Sequence, residues 1–217
     1  MPFSIMILTQ VLLLAAAAIG VTALLSLRWT RYRRYYQLLD WCRSRRLRMV
    51  RDDRRFAALP ELLNQIDPPP RIRWLIRDDD ADPSDDRITL LRAQTPTHTY
   101  NLLLVRMPHR RWPTTALRPT RRTDSLIDRL NLFSYPSTMG VDRFTLHGEH
   151  PGAARKLNES HARGLLPPDI GLIAWDDLLM LDFSDRPFDL LEFDRMIMLG
   201  KQVAAALPVV HSGQRAA

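Results

Sequence analysis

From Met1 to Leu27 the chain carries no charged side chain, and then "SLRWTRYRRYY", residues 26 to 36, brings four arginines, three tyrosines and a tryptophan. At about 1.5 Å per residue, a helix from Phe3 to Leu27 reaches roughly 37 Å, enough for a hydrocarbon core of about 30 Å with some tilt. A cleaved secretory signal is the rival, since Ala15 to Ala18 are small residues. Met1 to Met6, however, supplies no basic n-region. The expectation is one N-terminal transmembrane helix. Lys and Arg flanking a span are retained on the cytoplasmic side, which predicts a single-pass inner-membrane protein with its N-terminus out and its C-terminal domain cytoplasmic. In this reading Arg28, Trp29, Arg31, Tyr32, Arg33, Arg34, Tyr35 and Tyr36 form a membrane-interface belt, and the first partner is a bilayer with anionic headgroups.

Charge is distributed unevenly. Residues 28 to 55 hold eleven Arg against Asp40, Asp52 and Asp53, a balance of +8, whereas the rest has twenty basic and twenty-one acidic residues. Basicity is a local property of the stretch after the apolar run, and a domain-wide nucleic-acid footprint is excluded on that ground. A membrane-recruited nucleic-acid binder is therefore the weakest functional reading, and no nucleic-acid partner is expected. The single cysteine, Cys42, rules out an internal disulfide and agrees with a reducing compartment.

Periodicity organises the remainder. Tyr35, Leu38, Leu39 and Cys42 recur at helical spacing between Arg33 and Arg46, and Leu47 to Val50 opens a first strand. "RRFAALPELLNQIDPPP" contains a short helical piece stopped by prolines. Arg71 to Arg77, Arg87 to Ala93 and Thr99 to Met107 read as strands, with the acidic "DDDADPSDD" as a loop. Residues 108 to 122, rich in Pro, Thr and Arg, read as an irregular excursion. A short helix follows near Asp124 to Leu130 and a strand at Arg143 to His147. Pro151 opens a helix to about Arg163, closed by Gly164 and a proline pair. Ile170 to Trp175 and Leu178 to Phe183 flank Asp176 and Asp177 as a hairpin, and Phe188 to Leu207 closes as an amphipathic helix. The expected division is a transmembrane anchor over 1–27, a basic juxtamembrane helix over 28–46, a soluble domain over 47–208 and a disordered tail over 209–217. Strands grouped in meanders with flanking helices and a long C-terminal helix predict one α+β domain of antiparallel strands.

"DRFTLHGEHPGAARKL", then "IGLIAWDDLLMLDFSD", then the final helix ending "AAALP", preceded by an apolar span, resemble a group of uncharacterised bacterial membrane-anchored proteins with a single α+β domain of unknown function. The resemblance lies in hydrophobicity patterns over the last third of the chain and more loosely over the middle. It implies fold and anchoring, and it brings no catalytic motif.

Candidate chemistry is sparse. His147, Glu149 and His150, with His161 one helix later, offer zinc-type ligands, which gives a membrane-tethered metal-dependent hydrolase as the alternative function. Their spacing does not match the helical HExxH pair, and turn and capping roles suit them better. Asp176, Asp177, Asp182, Asp185, Asp189, Glu192 and Asp194 suit turns and a helix start better than acid–base work. The arginines around Cys42 would lower its thiol pKa, although a buried hydrophobic role is the commoner one. No phosphate-loop, dinucleotide or CxxC signature occurs. The expected function is therefore a non-enzymatic interaction or scaffolding module with a protein partner, without a metal or other cofactor.

Overall fold

The structure, a computed structural model, describes residues 2–50, 61–78, 88–108, 110–122, 124–130, 132–135, 143–187 and 189–208; for the helical residues 2–9, 11–14, 31, 61 and 64 only the backbone is described. The predicted acidic loop, apart from Asp78, and the predicted tail lie outside these residues. The chain divides into two units, Met1–Arg45 and Arg46–Ala217.

The first unit is one unbroken helix, α1 (Pro2–Ser44). Among the described residues no helix is long and apolar enough to cross a membrane. This overturns the expected N-terminal transmembrane helix and, with it, the single-pass inner-membrane placement. The backbone does not stop at the arginines, so the anchor and the juxtamembrane helix are one element. Between Ala15 and Leu27 the apolar run is diluted by alanines, by Gly20, and by Thr22 and Ser26; the Thr22 and Ser26 hydroxyls, like that of Thr30, donate back to carbonyls one turn earlier.

The second unit is α+β, as predicted, and its described residues form a nine-stranded antiparallel sheet: β1 (Leu47–Val50), β2 (Arg71–Asp78), β3 (Ile88–Gln94), β4 (Thr99–Arg106), β5 (Trp112–Pro119), β6 (Phe133–Tyr135), β7 (Phe144–Gly148), β8 (Gly171–Asp176) and β9 (Leu178–Asp182). The order across the sheet is β1-β2-β3-β4-β9-β8-β5-β7-β6. The β8–β9 hairpin thus inserts between β4 and β5, which are consecutive in sequence. Its turn is held there by the short β4–β5 connection: Arg106 Nε donates to Asp177 at 2.7 Å, the Met107 N–H donates to the Asp177 carbonyl at 2.6 Å, and Arg111 pairs with Asp176. Asp176 adopts a positive φ of 48°, a turn conformation Asp tolerates.

Helices cover both faces. One face takes α5 (Leu190–Ala206), capped by the Asp189 carboxylate on the Glu192 N–H at 2.8 Å. Gly200 of α5 sits so close to Leu103 and Val105 that an added Cβ would lie 2.5 and 2.9 Å from their methyl groups. Arg110 closes the other end of α5, donating to the Ala204 and Leu207 carbonyls at 2.5 and 2.7 Å. The helix expected from Pro151 to Arg163 is two pieces, α3 (Pro151–Glu159) and α4 (His161–Leu165), because Ser160 is extended between them. The opposite face carries the main core, in which Leu91, Tyr100, Leu102, Ile173 and Met180 meet Leu62, Leu63 and Ile66 from α2 (Glu61–Asn64) and its C-terminal flank, together with Leu126 and Ile127 from a 3-10 turn (Leu126–Arg129). The predicted irregular excursion contains β5, an interior strand paired on both edges. Pro113 is accommodated there by a register shift between Trp112 and Thr115.

Candidate functional site: a polar cleft beside Asp182

The 3-10 turn is anchored to the end of β9 by Asp182, which is 1% exposed. Its Oδ2 accepts from Arg122 at 3.0 Å and from the Leu126 N–H at 3.3 Å; its Oδ1 accepts from the Ser184 N–H and hydroxyl at 3.1 and 2.5 Å. Arg122, 8% exposed, also reaches the outer Asp185 at 3.4 Å. Ser125 and Asp128 form a reciprocal capping box, and Asp128 pairs with Arg118 at 2.5 Å. This is a satisfied buried ion pair with its turn locked in place, the condition under which buried charge is tolerated.

Above it lies a cleft of about 330 Å³ lined by His98, Thr99, Tyr100, Arg121, Arg122, Asp124, Ser184 and Asp185. His98 and Tyr100, two residues apart at the start of β4, stack with ring centroids 6.3 Å apart. Arg129 approaches His98 Nδ1 at 3.1 Å, and a guanidinium can only donate. Nδ1 is therefore the acceptor and Nε2–H faces the Asp124 carboxylate at 3.1 Å. Tyr100 is 1% exposed, and its hydroxyl is closed off from solvent with the Arg129 guanidinium beside it. Burial pushes its pKa up, with Arg129 opposing in part, so the hydroxyl keeps its proton. Arg121 is exposed at the mouth of the cleft.

The residues expected to matter from sequence are placed elsewhere. Strand register puts His147 level with Ala116 of β5, on the face of Arg118 and Asp128. His150 is the N-cap residue of α3 without a side-chain bond, Glu149 is exposed before it, and His161 is exposed on α4. Among the described residues no group of three or more His, Cys, Asp or Glu is placed to hold a metal. Burial lowers the pKa of His147, with Asp128 opposing. Of the acidic series, Asp176, Asp177, Asp182 and Asp185 pair with arginines, Asp189 caps α5, and Glu192 binds Arg186 at 2.7 Å. Arg186 also holds Asp169 in a fork at 2.7 and 2.9 Å, which lowers the Asp169 pKa. Cys42 is buried, in keeping with the hydrophobic role weighed above an activated thiol, and burial pushes its pKa up to about 11.

On α1, Trp29, Tyr32 and Tyr36 are exposed, as are Arg28, Arg33 and Arg34, while Tyr35 is half-buried and the Arg31 side chain is outside the described set. The Tyr32 and Tyr36 rings lie tilted against each other with centroids 4.8 Å apart, and the Tyr36 hydroxyl donates to that of Tyr32 at 3.0 Å. Being contiguous on a helix, these residues circle the axis instead of sharing one side.

No family model matches the chain, and no curated protein matches it in sequence. Among solved structures it is similar to the crystal structure of the mycobacterial trehalose monomycolate transport factor A, TtfA, with a TM-score of 0.52 and 8% identity over 80% of this chain and 95% of that one. At that identity the likeness shows a shared fold.

Proposed function

We propose that the α+β unit is a non-enzymatic interaction or scaffolding module whose partner is a protein. The observation that carries the reading is the deployment of its acidic residues: six carboxylates of the C-terminal series are engaged by arginines or by a helix N-terminus, in roles that hold the hairpin, the 3-10 turn and α5 in place. A general acid or base requires a carboxylate free to meet a substrate, and these are committed to arginines or to a backbone N–H. The name of the structural neighbour, a transport factor, agrees with a role of this kind. The exposed arginines of α1 add attraction to an acidic surface, whether on the partner or on anionic lipid headgroups.

Photo-crosslinking from Phe133, 71% exposed on edge strand β6, tests the reading. A discrete adduct of reproducible mass in cells is expected. Turnover of ester, phosphoester or glycoside substrates by the purified chain, abolished by His147→Ala or Glu149→Ala, would overturn it.

A further inference from the structure

Among the described residues the sheet ends in β1 on one side and β6 on the other, and the two edges differ in charge. Strand β1 carries exposed Arg48, and Arg46 and Arg51 flank it in sequence. Strand β6, "FSY", has no charged residue, and none occurs in the sequence from Leu130 to Val141. Charges on an exposed strand discourage pairing with another chain, so β1 is guarded and β6 is not. The direction in which the β6 backbone points follows from the bonds on the far side of β7. The Glu149 N–H donates to the Thr114 carbonyl and the Thr120 N–H to the Arg143 carbonyl, both at 2.9 Å, so by alternation Thr145 and His147 are the β7 residues that bond β5. Leu146 and Gly148 therefore turn to β6 and bond their register partners Tyr135 and Phe133. This leaves the N–H and C=O of Ser134 pointing out of the sheet edge, and Ser134 is exposed. Phe133, 71% exposed, and Tyr135 stand on one face, on either side of it.

We propose that β6 is a dimerisation edge, at which a second copy of this chain adds its own β6 in the antiparallel sense about a two-fold axis at Ser134. The segment is complementary to itself. The Ser134 N–H of each copy donates to the Ser134 carbonyl of the other. The flanking positions bring Phe133 of one copy opposite Tyr135 of the other, twice, at the closer, non-hydrogen-bonded spacing where aromatic side chains meet. Charge favours the same occupant: the chain carries +7, and two copies meet at β6 without opposing arginines, which a β1 pairing would place face to face. Ser134 offers one bonded pair, and Pro136, the next residue of that parity, has no N–H to donate, so the interface is small and the association weak. The proposal rests on the interaction reading and deepens it by naming the protein met at this edge.

Sedimentation of the full chain from about 10 μM to about 1 mM is the test, and a monomer–dimer equilibrium within that range is expected of so small an interface. Ser134→Pro removes the outward N–H without touching a β6–β7 bond and should abolish the dimer. Ser134→Ala keeps that N–H and should leave the dimer unchanged, which separates backbone pairing from a side-chain effect. Phe133→Ala, at an exposed position, removes both aromatic pairs and should weaken the dimer about tenfold. Should Ser134→Pro fail to fold, Phe133→Ala alone decides. A chain monomeric throughout overturns the proposal, as does association unweakened in Phe133→Ala. The photo-crosslink from Phe133 separates this inference from the reading beneath it. An adduct of twice the chain mass supports the second copy, whereas a discrete adduct of any other mass overturns the second copy and leaves the interaction reading standing.

Discussion

Replacing Asp182 with Ala removes the acceptor for four donors: Arg122, the Leu126 N–H, and the Ser184 N–H and hydroxyl. Leaving a buried donor unsatisfied costs about 1–3 kcal/mol, and breaking one side of a buried ion pair about 3–5 kcal/mol. These losses overlap at Arg122, and Asp185 at 3.4 Å keeps part of its charge compensated. The net expectation for Asp182→Ala is therefore about 3–5 kcal/mol. For a unit of this size each kcal/mol moves Tm by about 2–4 °C, which predicts a fall of roughly 6–20 °C by calorimetry. Asp185→Ala removes a half-exposed partner and should cost less than about 1 kcal/mol. The double replacement Arg122→Met with Asp182→Leu, which removes both charges, should recover much of the loss. The reasoning fails if Asp182→Ala and Asp185→Ala shift Tm equally, or if the double replacement melts no higher than Asp182→Ala.

Two further outcomes are expected. Gly200→Ala gains about 1 kcal/mol of helix propensity but forces a methyl against Leu103 and Val105, a strain of about 1–3 kcal/mol, so its urea midpoint should fall; Gly152→Ala in α3, with open space around the position, should raise it by about 0.5–1 kcal/mol equivalent. For His147, burial lowers the folded-state pKa below the ordinary 6.5, so below about pH 6.5 the unfolded chain takes up the proton first and stability declines. Midpoints measured at pH 7.5 and 5.5 should separate by more in the native chain than in His147→Phe, and an equal separation would refute the assignment.

The antiparallel class and most strands were legible because Arg71 to Met107 and Ile170 to Phe183 repeat apolar residues at strand spacing, with turn residues between them. Strand β5 was not, since "WPTTALRP" carries two prolines that argue against an interior strand. Only the register shift after Trp112 and the placement of Pro119 at the strand end make them compatible with pairing on both sides. Ser160 likewise broke a helix whose periodicity runs through it. The cleft was hidden for a different reason. His98, Arg122 and Asp182 are distant in sequence and meet through the insertion of β8–β9 and the folding back of the 3-10 turn. The one local trace was "HTY" at the start of β4, where alternation places His98 and Tyr100 on the same face. The apolar N-terminal run misled: its hydropathy pointed to a span, whereas among the described residues no helix is long and apolar enough to cross a membrane.

The insertion of the C-terminal hairpin between β4 and β5 sets a schedule for biosynthesis. Strand β4, buried from Tyr100 to Val105, acquires its second neighbour only when Leu178 to Asp182 have been translated. Until then a nascent chain presents an apolar strand with one open edge, the configuration most prone to pair with another copy. Polypeptides released before residue 178 should consequently accumulate as inclusion bodies or be held by chaperones, whereas loss of the residues beyond 208 should leave the sheet complete.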